Sequence, residues 1–157
     1  MITLPINIYS AEGGRALDRT AIDAFGIPGY TLMRRAGAAA LSVISQRYPG
    51  LQSLLVLCGG GNNGGDGYVV ARLARAAGLA VRVVAFSDPK ELKGDAALAY
   101  EEFTASGGMP RAWDPSLIGA TGMVVDALIG SGLKQDVRAE YAEAIQALNN
   151  ASTPVTS

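Results

Sequence analysis

The sequence contains no histidine. That absence excludes His-based catalytic triads, His-ligated zinc and imidazole acid–base chemistry, so proton transfer falls to Asp, Glu, Lys, Tyr or Cys. The one cysteine, Cys58, excludes an internal disulfide, and its place at the end of an apolar run reads as a buried structural thiol. No apolar run approaches the ~20 residues that cross a bilayer. Charge of one sign is also missing. Thirteen basic residues stand against fourteen acidic ones, and a net charge of −1 gives no electrostatic basis for generic nucleic-acid binding. The opening residues, MITLPINIYS, lack the basic start of a secretory signal, so a cytoplasmic location is expected. A P-loop is absent too, since "GSGLKQD" at Gly130–Asp136 has the wrong spacing.

Glycine, by contrast, is abundant and concentrated. Six of the nine residues in "GGGNNGGDG", Gly59–Gly67, are glycine. The stretch follows "SLLVLC" (Ser53–Cys58), an apolar run bounded by turn residues that reads as a strand buried on both faces. It precedes "GYVVARLARAAG", which reads as a helix from Gly67 with Gly78 as its stop. Ahead of this unit, Ser10 is placed to cap a helix over residues 11–25 that ends at Gly26. Thr31 is placed to cap a second helix that ends at Pro49-Gly50, with small residues at 36–40 suited to close helix packing. Beyond it come a strand at 80–86, a helix around 94–108, a β-rich run at 122–130 and a closing helix at 139–150. The segment 109–117 has room for a short edge strand. This alternation predicts one α/β domain over residues 1–157, with a parallel sheet and right-handed crossovers.

Two stretches carry chemistry. Gly59, Gly61 and Gly64 satisfy G-x-G-x-x-G at a strand-to-helix turn, where ligands gather in doubly wound sheets. Glycine there permits positive φ and lets backbone N–H groups reach an anion, and the helix N-terminus favours a phosphate. The competing structural reading is a tight turn with Asn62 and Asn63 left-handed and Asp66 as a helix N-cap; it leaves most of the glycine unexplained. The second stretch is "VDALIGSGLKQDVR". Asp126 interrupts an apolar strand pattern, a position that needs a partner, a hydrogen bond or a cation. Strand ends of a parallel sheet share one edge, so Asp126 is expected to face the glycine loop. Gly130-Ser131-Gly132 makes a second donor-rich turn, Lys134 offers positive charge, and Arg138 reads as a surface residue. Asp88, near the acid position of a dinucleotide fingerprint, reads rather as a turn or cap residue before Pro89.

"CGGGNNGGDGYVVARLA" together with "VDALIGSGL" resembles the YjeF N-terminal domain family, the NAD(P)H-hydrate epimerases, and the upstream "DRTAIDAFGIPGYTLMRRAGAAA" is similar to that family's N-terminal helices. The resemblance implies a Rossmann-like, three-layer α/β/α fold, often dimeric. Its implied substrate is hydrated NADH or NADPH, whose R and S epimers are interconverted so that an S-specific dehydratase can restore the cofactor. By motif, Asn62, Asn63, Gly64, Gly65 and Asp66 are implied to bind the substrate, with Gly130, Ser131, Gly132, Leu133, Lys134, Gln135 and Asp136 as its second wall. Asn63 and Asp126 match positions that hold a potassium ion, as an oxygen-only shell suits a hard cation. The wording is most similar to the N-terminal half of bifunctional repair enzymes, whose dehydratase half lies outside these residues. The family continues with a strand whose Asp contacts substrate and whose Ser or Thr helps ligate potassium. "TPVTS" begins like that strand and ends at Ser157, so the resemblance implies a domain incomplete at its C-terminal end.

Epimerisation at a carbon bearing a hydroxyl and a ring nitrogen requires that centre to open, as an iminium-type cation or as an aldehyde, and to reclose on the other face. Asp126 is the expected electrostatic centre, either as a metal ligand or as an acid–base group. The competing functions are a non-catalytic nucleotide- or RNA-binding, dimerising module of the same fold, and an ordinary NAD-dependent oxidoreductase. The intact N-N-G-G-D and V-D-A-L motifs and the neutral charge speak against the first. The lack of a visible catalytic pair speaks against the second.

Overall fold

The computed structural model describes residues 9–133 and 136–157. Continuous apolar runs become the middle of a sheet because only there are both faces of a strand removed from water. Strand β1 (Ser53–Cys58) lies at the centre, with Leu54 through Cys58 fully buried. Strands β2 (Ala80–Ala85) and β4 (Met123–Ala127) flank it in parallel, and the two-residue strands β3 (Pro110–Arg111) and β5 (Val155–Thr156) form the edges. The spatial order is β3-β2-β1-β4-β5. The chain runs outward from β1 in one direction and then returns to run outward in the other, so a crevice opens between the carboxyl ends of β1 and β4.

Helices cover both faces. On one side α2 (Gly29–Arg47), α3 (Asn62–Ala76) and α4 (Gly94–Ala105) pack on Leu54, Val56, Val83, Met123 and Val125. On the other, α5 (Ser116–Gly119) and α6 (Ala139–Asn149) pack on Leu55, Leu57, Val84 and Val124. Of the small-residue stretch in α2 only Gly37 is buried, against Val69 of α3; Ala36 and residues 38–40 face out. Helix α1 (Ala11–Asp23) starts as expected, with the Ser10 hydroxyl accepting from the Gly13 N–H at 3.1 Å, and ends at Asp23, three residues before Gly26, where φ is +63°. It buries no residue; Leu17 on its apolar side is 51% exposed, and Phe25 just past its end is 75% exposed.

Two helix starts differ from expectation. Helix α2 begins at Gly29, not after Thr31. Pro28 occupies the cap position with φ −57°, and its carbonyl accepts from the Thr31 N–H, so the proline's locked φ has already set the first turn. Helix α3 begins at Asn62, five residues before Gly67, with Gly61 at its cap. Asp66 is therefore inside the helix and caps nothing. Asn and Gly are poor helix formers in isolation, but packing decides here, since Gly64, Gly65 and Gly67 are all buried.

The glycine turn also works differently from the expectation of positive φ. Among the described residues positive φ occurs only at Gly26, Gly78, Gly94 and Gly107, and no residue from Gly59 to Gly67, Asn62 and Asn63 included, is left-handed. The requirement is close approach. A Cβ on Gly64 would run into the carbonyl of Gly59, and a Cβ on Gly59 would run into the carbonyl of Leu128. Three backbone segments thus touch at the carboxyl edge, where Gly59 also donates to the Ala127 carbonyl at 3.0 Å. Replacing Gly64 by alanine should destabilise the fold by about 2–3 kcal/mol despite alanine's better helix propensity, because the obstacle is backbone. Urea unfolding of Gly64→Ala beside Ala39→Ser, an exposed helical control, checks this; equal midpoints would refute the close-approach reading.

Candidate functional site

The crevice between β1 and β4 is a cavity of about 880 Å³. The glycine turn supplies one wall. Gly61 has no side chain with which to cap α3, and no side-chain hydrogen bond caps the helix. The first N–H groups of α3 are therefore left for a ligand, at the end of the helix that favours negative charge. Gly60, Gly61, Asn62, Asn63 and Asp66 line this wall. Gly64 and Gly65 do not: both are buried behind it, and they serve the wall by letting it form.

The opposite wall comes from the loop after β4. Leu128, Ile129, Gly130, Ser131, Gly132, Leu133 and Asp136 line it, the last five from the second motif. Lys134 and Gln135, assigned to the same wall, lie outside the described residues. The walls meet where Gly130 approaches Asn63, whose Cβ would lie 3.1 Å from a Cβ at position 130.

Asp126 corrects the expectation that it faces the glycine loop. Side chains alternate along β4. Met123 and Val125 pack under α3 while Val124 packs under α6, so Asp126 is turned to the α6 face. It is half-buried and does not line the cavity. Its Oδ1 accepts from the Leu128 N–H at 3.0 Å. Leu128 is in the cavity wall, so Asp126 sits beneath the floor and pins the start of the second loop.

Asp66, half-buried, takes the chemical position in the cavity wall. One helical turn into α3, it points into the cavity, and desolvation by burial, with the Asp18 carboxylate as a second cause, raises its pKa from 3.8 to about 6. Asp18 and Arg15, three residues apart on α1, complete the rim. Arg15 donates to the Ser131 carbonyl at 3.0 Å and to its hydroxyl at 3.2 Å, which ties α1 to the second loop. Ser87, just past β2, and Tyr141 of α6 share a 3.1 Å hydrogen bond at the far side.

Arg15, Asp18, Ser87 and Tyr141 were not visible as site residues in the sequence. Ser87 alone carried a usable signal, as the first polar residue past an apolar strand at the carboxyl edge. Arg138, read as a surface residue, is exposed but also lines the cavity, its guanidinium 5.9 Å from the Tyr141 ring centre. Asp88 does cap, accepting from the Lys90 N–H at 2.9 Å. Cys58 is fully buried and burial pushes its thiol pKa up, as a structural thiol requires. Among the described residues no helix is long and apolar enough to cross a membrane.

The family described as YjeF-related protein N-terminus matches residues 29–157. The bifunctional NAD(P)H-hydrate repair enzyme Nnr of Escherichia coli (strain K12) is 40% identical over 156 residues, covering 99% of this chain and 30% of that enzyme. The NAD(P)H-hydrate epimerase of Limosilactobacillus reuteri (strain ATCC 55730 / SD2112) is 33% identical over 151 residues, covering 96% of this chain and 71% of that protein. The crystal structure of yeast ynu0 superposes with a TM-score of 0.83 at 20% identity, over 96% of this chain and 68% of that one, a likeness of fold. This chain thus spans less than a third of the bifunctional relative and most of the single-function one, and by the match to residues 29–157 it belongs to the YjeF-related protein N-terminus family.

Proposed function

We propose that this chain interconverts the R and S epimers of hydrated NADH and NADPH, the reaction for which its relatives are named, and that an S-specific dehydratase consumes the product. The observation that carries this reading is the shared cavity. An uncapped helix N-terminus suited to a phosphate and a carboxyl that holds its proton up to about pH 6 line the same space. Such a pair fits a phosphorylated substrate that needs a proton moved.

The carbon to be inverted bears a hydroxyl and a ring nitrogen. Protonated Asp66 gives its proton to the hydroxyl, water leaves, and the nitrogen lone pair fills in to form an iminium-type cation. The Asp66 carboxylate then faces that cation and stabilises it. Water adds to the other face and releases a proton to solvent, and Asp66 regains one from solvent, so the enzyme ends as it began. Asp126, beneath the floor, acts through the loop it pins and through its charge.

The donor types, oxygens of a carboxylate and an amide, suit potassium. No described Lys or Arg pairs with Asp126, no described hydrogen bond uses its second oxygen, and the Asn63 amide offers another oxygen at the wall. Asp126 and Asn63 would hold the ion, and it would supply fixed positive charge next to the two loops.

Purified chain added to an S-specific dehydratase fed with the R epimer should accelerate recovery of NADH; no acceleration would remove the proposal. The proton route makes a sharper demand. Because protonated Asp66 starts the cycle, kcat/KM should fall about tenfold per pH unit above about pH 6. Asp66→Asn should be lower by about 10²–10⁴-fold and independent of pH in that range.

The same residue sets a stability signature. The folded state holds the Asp66 proton more tightly than the unfolded chain does. Its burial therefore destabilises nothing below about pH 4, costs progressively more as pH rises from about 4 to about 6, and costs a constant amount above that. Because Asp66 is partly open to solvent, which screens the effect, Asp66→Asn should be more stable than the parent at pH 7 by roughly 1–2 kcal/mol and equal to it at pH 4, measured by denaturant unfolding. For the cation, Tm should be higher in potassium chloride than in choline chloride of equal strength, and Asp126→Asn should lose the difference. An unchanged increment in that variant would remove Asp126 from the ion's shell.

A further inference from the structure

The candidate cavity continues into a second one of about 540 Å³. Ser87, Glu91 and Arg138 belong to both. Both volumes lie in the range of small-molecule sites, and together they form a groove with two unlike ends.

The second end is aromatic. Phe86 at the end of β2 is buried and packs on Trp113 at 5.6 Å between ring centres and on Tyr141 at 5.4 Å. Trp113 itself is half-buried, and its indole N–H is buried without an acceptor. The side-chain surface it presents to the cavity is therefore carbon. Around this wall stand Asp88, Glu91 and Glu140, against the single cation Arg138. Three carboxylates disfavour a phosphate in that end and favour a neutral flat ring bearing N–H donors. The first end also carries carboxylates, Asp18, Asp66 and Asp136, but it has no aromatic wall of this kind and adds the free N–H groups of α3 and the Arg15 guanidinium, which the Trp113 end lacks.

A dinucleotide has matching parts: two flat rings joined by phosphates, only one ring reactive. We infer that the Trp113 cavity receives the adenine of the substrate, stacked on the indole, while the hydrated nicotinamide ring lies beside Asp66. This inference rests on the proposed function for the identity of the substrate, and on the two cavities for the orientation. Adenine's exocyclic amino group offers hydrogens to the carboxylates at the rim. The nicotinamide must occupy the other end, because the proton donor is there.

Trp113 is the only tryptophan in the chain, so its fluorescence reports this cavity alone. AMP should shift its emission saturably, ribose 5-phosphate should not, and nicotinamide mononucleotide should fail to displace AMP. Trp113→Leu should raise KM for the hydrated dinucleotide about tenfold with a much smaller effect on kcat, and Trp113→Phe should recover most of the loss. An active enzyme with no AMP response and an unchanged KM in Trp113→Leu would overturn the adenine site while leaving the epimerase reading intact. Displacement of AMP by nicotinamide mononucleotide would reverse the orientation and so overturn it as well. An inactive parent chain that still shows the saturable AMP response would support the adenine site and count against the epimerase reading alone.

Discussion

Three stretches of backbone meet at the carboxyl edge of the sheet without any side chain between them. Gly59 lies against the carbonyl of Leu128, and Gly64 lies against the carbonyl of Gly59. Everything about the cavity follows from this contact. It brings the N-terminus of α3 directly over β1, leaving the helix's first N–H groups uncapped at the crevice. It brings the loop after β4 within reach of Asn63. It also sets the depth at which Asp66 enters the cavity, five residues into a helix whose start is held by tertiary packing against its own propensity. A methyl group at either glycine would lift one wall from the other.

Asp66 and Asp126 show how environment divides work between like groups. Both are carboxylates at one edge of one sheet. Asp66 is partly buried in the cavity wall, with another carboxylate as a lesser influence, so its neutral form is favoured and it can carry a proton near pH 6. Asp126 receives a backbone N–H, faces the other layer and keeps an oxygen in reserve. The first suits proton transfer, and the second suits fixed charge.

Much of the architecture was legible because it is written in local patterns. β1 follows the run SLLVLC at both ends, and the strands at 80–85 and 123–127 fall where apolar runs are bounded by turn residues. The parallel three-layer arrangement follows from their alternation with helices. The errors have a common physical origin, which is that they depend on contacts distant in sequence. The start of α3 lies in residues that would not be helical alone, so propensity put it five residues late. The face on which Asp126 emerges depends on strand phase, which an all-apolar strand does not display. Arg15, Ser87, Tyr141 and Trp113 reach the groove from four separate elements, and nothing local marks them as neighbours. Motif residues were easier to find than to assign, as Gly64 and Gly65 illustrate: they are essential to the wall without being on its surface.

Helix α1 buries none of its residues, and its link to the second loop is the pair of exposed hydrogen bonds from Arg15 to Ser131, 116 positions away in the chain. Exposed bonds of this kind contribute only about 1 kcal/mol each. The opposite wall rests on fully buried strand and on backbone packed against backbone. The two sides of the same cavity therefore exchange their amide hydrogens on separate clocks. The rim made by α1 opens in a local fluctuation, whereas the glycine turn opens only when the sheet itself comes apart. The cavity thus has one side that can open by the fraying of a helix, set in a frame as durable as the fold.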